Sequence, residues 1–436
     1  MKHLFFGGVH PADRKELTGR GIPAPAPIPA QVVIPLRQHI GAPCTPLVKP
    51  GDTVGLGQKL GDGEGLCVPV HASVSGLVTA VEPRPHPGGG QVLSVVIEND
   101  YQDTPASALE PHLDLSGLTK EEIVSIIGEA GIVGMGGATF PTDVKTVAGM
   151  GRVDTLIANA CECEPYITAD DALLCTYPEQ VLRGMGALMA VLEPKRAVLA
   201  VEDNKSEAVG ILKKQMETFP GIELLILPTR YPQGAEKQLI QAVTGRQVPP
   251  GALPKDVGCA VFNAATFASI YKAVYEGEPV TRRIVTVTGE GVREPKNLIV
   301  RIGTPFSEVI AAAGGLTGDV WKVLSGGPMM GVAQADLAVP VVKGTNAVLC
   351  LSRAQDREGA HPQCIRCAKC VTACPMSLQP LYLYRFEQAG DLTALRRLNL
   401  TDCIECGCCA YVCPGRLPLV ESFRAGKRAV KEENAS

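Results

Sequence analysis

Short β-rich runs separated by turn signals occupy the first quarter of the chain. Between Gln31 and Asn99 the runs QVVIPL, PLVK, CVPV, GLVTAVE and LSVVIE alternate with PGD, LGDGEG and HPGGG. Runs of that length bounded by Gly, Pro and Asp read as strands, so residues 31–100 are expected to form a small all-β module. Ahead of it, residues 19–30 read GRGIPAPAPIPA. Each proline there fixes φ and biases its predecessor toward extended backbone. Residues 1–30 are therefore an expected extended arm, a strap or a linker.

The period changes near Thr119. TKEEIVSIIGEAG predicts a helix opened by Thr119, with Glu122 as its capping-box partner, and closed at Gly131. VDTLIANA, AVLAVED and LLILPT read as buried strands, with SEAVGILKKQMETF as a helix between the second and third. That alternation predicts an α/β domain with a mostly parallel sheet over residues 116–275. Residues 282–340 open as strand, turn, strand and helix, a small β-grasp-like unit. A segment punctuated by Pro and Gly then leads into the cysteine-rich residues 355–425, where LYLYRFEQAGDLTALRRLNL has helical periodicity.

At 436 residues the chain exceeds what one core of about 100–200 residues organises, in keeping with several domains. Charged residues make up 20% and the net charge is −4, without the Lys and Arg excess that a nucleic-acid groove needs, so nucleic acid is not an expected partner. No run approaches the roughly 18–20 apolar residues of a bilayer span. The opening MKHLFFGGVHPADRKEL is too short in apolar residues for a secretory signal, which leads to a cytoplasmic expectation.

Cysteine changes the picture most. Of 16 cysteines, eight fall in two copies of one spacing, Cys364-x2-Cys367-x2-Cys370-x3-Cys374-Pro375 and Cys403-x2-Cys406-x2-Cys409-x3-Cys413-Pro414. Three thiolates in one tight loop reach three irons of a cubane, while the fourth cysteine points to the other cluster. Crossed ligation gives Cys364, Cys367, Cys370 and Cys413 to one [4Fe–4S] cluster and Cys403, Cys406, Cys409 and Cys374 to the other. Zinc favours paired C-x2-C knuckles separated by a longer loop, which this run ending in Cys-Pro does not match. Cys44, Cys67, Cys175, Cys259 and Cys350 stand isolated along the chain and are expected to be small buried hydrophobes. Cys408 is read as a packing residue, and Cys161 and Cys163 as packing residues with a ligand role as the alternative.

Gly131–Pro141, GIVGMGGATFP, clusters Gly134, Gly136 and Gly137, and such loops let backbone approach a phosphate or a flat ring. GMGGATFPTDVK, NACECEP at 159–165, YPQGAEKQL at 231–239 and FNAATFA at 262–268 resemble, in order, the four flavin-site segments of the NADH-binding flavoprotein subunit of respiratory complex I. With GGVHPADRKELT, NACECEPYITADD, GGPMMG and the two cysteine motifs, residues 6 to 420 resemble the RnfC family, the peripheral subunits of Rnf electron-transport complexes. VKPGDTVGLGQKL and VHASVSGLVTAVE resemble the barrel-sandwich hybrid of lipoyl and biotinyl carriers. The loop GDGEGLCVP holds no lysine to modify, so a structural or docking module is expected.

The resemblance implies a multidomain α/β protein: a barrel-sandwich hybrid, a Rossmann-like α/β flavin domain, a β-grasp-like domain of the SLBB type and a helical two-cluster ferredoxin domain. It implies non-covalent FMN, NAD(H) as substrate and two [4Fe–4S] clusters. Carried over by position, Gly134, Gly136, Gly137 and Lys145 form the glycine loop and its lysine. Asn159 and Glu162 lie under the flavin, Gly234 and Glu236 in the acidic segment, and Asn263 and Thr266 on the phosphate side; Asn side chains suit a ring or ribityl chain. Met135, Thr139 and Cys161 depart from the complex I pattern, which has Arg, Gly and Asp there. No acid or base residue is assigned. The implied role is electron exchange between NAD(H), FMN and the clusters in an ion-translocating NAD:ferredoxin oxidoreductase. The chain would sit peripherally on the cytoplasmic face of the cell membrane, against membrane-embedded and ferredoxin-like Rnf subunits, meeting ferredoxin indirectly. The alternatives are a soluble flavin and iron–sulfur cobalamin reductase, whose relatives begin close to the flavin domain, and a cluster-bearing adaptor without active flavin.

Overall fold

The computed structural model describes residues 4–19, 21–356 and 362–435. Residues 1–3 and 20 of the expected arm, and 357–361 at the front of the expected cluster region, lie outside them. The arm contributes β1 (Ala24–Pro25). The all-β module follows with β2 (Gln31–Pro35), β3 (Thr45–Pro46), β4 (Thr53–Val54), β5 (Lys59–Asp62), β6 (Val70–His71), β7 (Gly76–Pro85) and β8 (Gln91–Asn99). They make two sheets, β2-β8-β7-β4 and β3-β5-β6. Val32, Ile34, Leu60, Val78, Val95 and Ile97 are fully buried in this barrel-sandwich core, which fixes strand register because a one-residue slip would turn them to solvent. Cys44 and Cys67 are buried as expected but not isolated: their sulfurs lie 3.5 Å apart.

The α/β domain runs through α1 (Lys120–Glu129), α2 (Thr142–Gly149), β9 (Thr155–Ala160), α3 (Ala169–Thr176), α4 (Pro178–Leu192), β10 (Arg196–Glu202), α5 (Ser206–Gln215), β11 (Ile222–Leu227), α6 (Glu236–Thr244), β12 (Cys259–Asn263) and α7 (Ala264–Glu276). Thr119 and Glu122 form the reciprocal capping box of α1, so two otherwise orphaned amides are satisfied. The sheet order is β11-β10-β9-β12, all parallel. Strand order therefore reverses between β9 and β12, and the crevice outside the carboxyl ends of such strands is where open α/β sheets take ligands. β12 is a strand that the periodicity of the sequence does not mark.

The next unit holds β13 (Arg282–Thr288), β14 (Lys296–Arg301), α8 (Phe306–Ala312), β15 (Val320–Ser325), β16 (Val332–Gln334) and β17 (Ala347–Ser352). Its sheet order is β1-β14-β13-β17-β15-β16. The arm thus serves as a strap, adding β1 parallel to the β14 edge and covering backbone that an open edge would expose. β17, drawn from the segment read as a connection, sits between β13 and β15. Helices α9 (Lys369–Ala373), α10 (Pro380–Gln388), α11 (Leu392–Arg397), α12 (Cys408–Tyr411) and α13 (Leu419–Ala435), packed on Leu383, Leu395, Leu400 and Phe423, frame the loops that hold most of the motif cysteines. No helix among the described residues is long and apolar enough to cross a membrane.

Candidate functional site

The two cysteine loops repeat one backbone device. Arg366 and Ala368 adopt φ of 58° and 59°, and Glu405 and Gly407, at the equivalent positions, adopt 55° and 78°. Left-handed residues alternating with right-handed ones curl a loop so that amides and thiols converge, the arrangement that suits an anionic centre. Cys364, Cys367 and Cys370 line one cavity together with Cys413 from the second motif. Cys374 joins the other loop, where it and Cys406 act electrostatically on both Cys403 and Cys409. The Glu405 amide donates to Cys403 Sγ and the Leu378 amide to Cys374 Sγ, each at 3.4 Å. Burial pushes the Cys403 thiol up to about 11, and a cluster bound there would displace that proton. Eight thiols in two groups of four, with amides aimed at sulfur, are a donor set that fits two cubanes. Cys408, fully buried, packs beside Cys406.

At the β9/β12 crevice the glycine loop presents an open rim: Gly136, Gly137 and Ala138 are exposed while Met135 is buried. Gly137 has φ 109°, and a Cβ added there would meet nothing within 4 Å, which leaves space for a group to approach the backbone. Thr266 lies fully buried beneath the loop and accepts the Met135 amide at 3.0 Å, while Arg283 donates to the Met135 carbonyl at 3.3 Å. Thr266 thus supports the loop from below. Met135, at the position of the complex I arginine, is a packing residue, and Thr139 adopts a left-handed φ of 49° where glycine would sit without strain. Cys161 is fully buried against the Ala200 carbonyl.

The remaining candidates gather around the same strand ends. Asn263 caps α7 through the Ala265 amide and donates to Asp170 Oδ2 at 2.6 Å; a Cβ on Gly136 would meet it at 3.6 Å. Asn159 Nδ2 donates to the Gly234 carbonyl at 2.8 Å. Lys145 Nζ pairs with Glu236 Oε1 at 2.5 Å and lies over the Phe262 ring at 5.1 Å. Glu162 accepts from the Asp170 and Asp171 amides, at 2.7 and 3.3 Å, in the first turn of α3. Those amides have no partner inside the helix, and the helix dipole favours a carboxylate there. Burial still dominates and raises the Glu162 carboxyl to about 8, against the pull of Lys15.

Several residues escaped sequence reasoning. Lys15 of the arm reaches the Glu162, Glu164 and Ile167 carbonyls, the first two at 2.9 and 3.0 Å. Burial, with Lys205 second, lowers its ammonium pKa. His10, Lys15, Cys163, Asn204, Arg230 and Tyr231 line a cavity of about 310 Å³ under the arm. In the following segment Gln233 is fully buried, and neither of its amide atoms has a hydrogen-bond partner among the described residues; Asn204 Nδ2 also lacks one, whereas Glu202 Oε2 lies 3.8 Å from the Lys205 ammonium. Buried polar atoms are nearly always satisfied, so these orphans fit a polar group seated at the strand ends. The glycine rim, Lys145 and these orphans together are residues that suit a flavin mononucleotide. Lys15 and Gln233 lie in the segments GGVHPADRKELT and YPQGAEKQL that carry the family resemblance, yet no spacing gives either a role; only the fold brings them here.

Family models match along the whole chain: the RnfC barrel sandwich hybrid domain at residues 3–102, the Nuo51 FMN-binding domain at 127–272, the SLBB domain at 284–333 and the 4Fe-4S dicluster domain at 363–416. The chain is 45% identical over 433 residues to a subunit of the Na(+)-translocating ferredoxin:NAD(+) oxidoreductase complex of Acetobacterium woodii, covering 99% of this chain and 98% of that one. It is 43% identical over 406 residues to a subunit of the proton-translocating ferredoxin:NAD(+) oxidoreductase complex of Clostridium ljungdahlii, covering 92% and 88%. Among solved structures, an NAD+-reducing [NiFe]-hydrogenase in the H2-reduced state matches with a TM-score of 0.53 at 21% identity, over 73% of this chain and 64% of that one. That likeness bears on the fold alone.

Proposed function

Because the chain belongs to the RnfC family of ion-translocating oxidoreductase complexes, we propose that it passes electrons between NAD(H), FMN and two [4Fe–4S] clusters within a ferredoxin:NAD oxidoreductase. FMN, when bound, exchanges a pair of electrons with a nicotinamide and single electrons with an iron–sulfur cluster. Gly134, Gly136, Gly137 and Lys145 hold its phosphate side, with backbone amides and one ammonium supplying charge-assisted bonds. Asn159, Gly234 and Glu236 line the wall facing them. Glu162, Asn263 and Thr266 set the positions of α3, α7 and the loop. The crossed cysteine quartets hold the clusters.

The observation that carries this reading is a physical bridge between the two cofactor regions. Tyr231, at the head of the segment containing Gly234 and Glu236, donates its hydroxyl to the carbonyl of Cys406 at 2.7 Å. Its ring is buried with Cys406 and Cys408 in one apolar cluster, against which the partly buried Cys163 packs. The peripheral position on the cytoplasmic face, and contacts with membrane-embedded and ferredoxin-like subunits, belong to the same proposal.

The test is anaerobic purification with iron, acid-labile sulfide and released flavin assayed, followed by spectra as NADH is added. About eight irons and one FMN per chain, with both chromophores bleached by NADH, is the expected result. Clusters without flavin and no response to NADH would overturn it in favour of an adaptor.

A further inference from the structure

The all-β module contains a cluster of metal-binding side chains far from the cysteine motifs in sequence. His39 and Cys44 lie on the segment that follows β2, and Cys67 on the loop between β5 and β6. One ligand atom from each falls within 4.8 Å of the other two, and all three residues are buried. The sulfurs are 3.5 Å apart. For tetrahedral zinc with Zn–S near 2.3 Å and Zn–N near 2.0 Å, ligand atoms stand about 3.5–3.8 Å from one another. The cluster is therefore close to metal-bound spacing before any metal enters.

His39 distinguishes this cluster from ordinary packing. It is 5% exposed, and neither ring nitrogen makes a hydrogen bond of good geometry among the described residues, the Ala42 backbone being its nearest polar neighbour. A buried imidazole without a partner is costly, and a disulfide between the two cysteines would leave it unexplained. The Lys343 ammonium, anchored on the Pro69 and Gly131 carbonyls at 2.7 and 2.6 Å, interacts electrostatically with both cysteines. Burial raises the Cys44 thiol and Lys343 offsets only part of that, so an incoming metal would itself have to displace the thiol protons. The backbone is also built for close approach: a Cβ on Gly63 would stand 3.0 Å from Cys67 Sγ, and one on Gly61 would stand 3.1 Å from Cys44 Cβ.

We infer that His39, Cys44 and Cys67 form a third metal centre in this chain, a Cys2His site for a thiophilic ion such as Zn2+. Two thiolates and an imidazole are a soft, borderline donor set that selects zinc over magnesium or calcium, and three protein ligands leave water to complete the coordination. Its place in the fold gives it a structural task. The next residue, Ile40, donates its amide to the Thr139 carbonyl of the glycine loop at 3.1 Å. Metal at the cluster ties the segment bracing that loop to the β5–β6 hairpin.

The experiment uses the full chain, purified anaerobically with its iron–sulfur clusters in place and dialysed against Zn2+ and then against metal-free buffer. Metal content and zinc-edge X-ray absorption are read together. Expected are about one retained zinc per chain and a shell of two sulfurs with nitrogen or oxygen. His39→Gln and Cys67→Ser each lower retained zinc by more than about tenfold at unchanged iron content. A four-sulfur shell, which would be zinc in a vacated cluster site, overturns the inference. So does retention below about a tenth of a zinc per chain, whether Cys44 and Cys67 are then found as free alkylatable thiols or as a disulfide. The absorption spectrum of the unaltered chain decides the question even if a variant fails to fold.

Discussion

Glu164 accepts the backbone amides of Met329 and Met330, at 2.7 and 3.1 Å. The first residue belongs to the segment after β9 and the others to the GGPMMG loop. On its far side that loop touches the cluster region, for a Cβ on Gly407 would stand 2.8 Å from the Met329 carbonyl. Glu164 therefore sits at a junction of three units that are distant in sequence. Glu164→Ala leaves two amides without their acceptor, and a hydrogen bond to a charged group is worth about 1.5–3 kcal/mol. The expected outcome is a denaturation midpoint lowered accordingly and faster loss of iron to a chelator, with Glu164→Gln recovering most of both.

The cysteine grouping makes a sharper prediction. Cys413→Ser should remove the cluster held by the first loop, and Cys374→Ser the cluster held by the second, although each residue lies in the other motif. Iron falls from about eight to about four per chain in each variant. Electron paramagnetic resonance of the reduced variants reads which signal survives; loss of the same signal in both would contradict crossed ligation.

How much of this was legible beforehand depended on sequence distance. The capping box at Thr119 and the cysteine spacings are local chemistry, written within a few residues, and both regions fold where the pattern places them. Strands β12 and β17 were not marked, because short apolar runs among Gly and Pro have no period of their own and take their state from neighbouring strands. Lys15 stands in the family segment GGVHPADRKELT, but its role is not legible there because its three carbonyl partners lie some 150 residues away. Cys44 and Cys67 looked solitary because only the turn between β5 and β6 brings them together.

Glu162 gives a pH dependence. Its carboxyl binds a proton more tightly in the folded chain, up to about 8, than at its ordinary 4.5. The folded state therefore holds more protons across that window, and the contribution to stability is full below the lower value and lost as pH rises through the upper one. Denaturant unfolding of flavin-free chain at several pH values should show a falling slope that Glu162→Gln reduces. An unchanged slope in the variant would assign the proton elsewhere.

Lys145 and Gly137 test the flavin rim without touching the core. Lys145→Gln removes one charge-assisted bond of about 1.5–3 kcal/mol, so FMN should dissociate roughly 10-fold to 100-fold more readily in a fluorescence titration. Gly137→Val places a branched side chain at a backbone conformation costing about 1–2 kcal/mol and in the space a phosphate would need. Flavin retention should fall in that variant while both clusters stay at full occupancy.

The arm has a consequence for the order in which the molecule is made. The Gly8 amide bonds to the Ala373 carbonyl, and Val9 pairs with Tyr231. A ribosome adding about 5–20 residues per second needs roughly 20–70 s between those first and last partners. Lys15 and Val9 meet their partners once residues 162–167 and 231 have emerged, and for the rest of that interval Gly8 waits for its acceptor. The seam between the α/β unit and the cluster-bearing end is sewn shut last, by the residues that emerged first, so iron delivery and final closure become neighbouring events in the life of the chain.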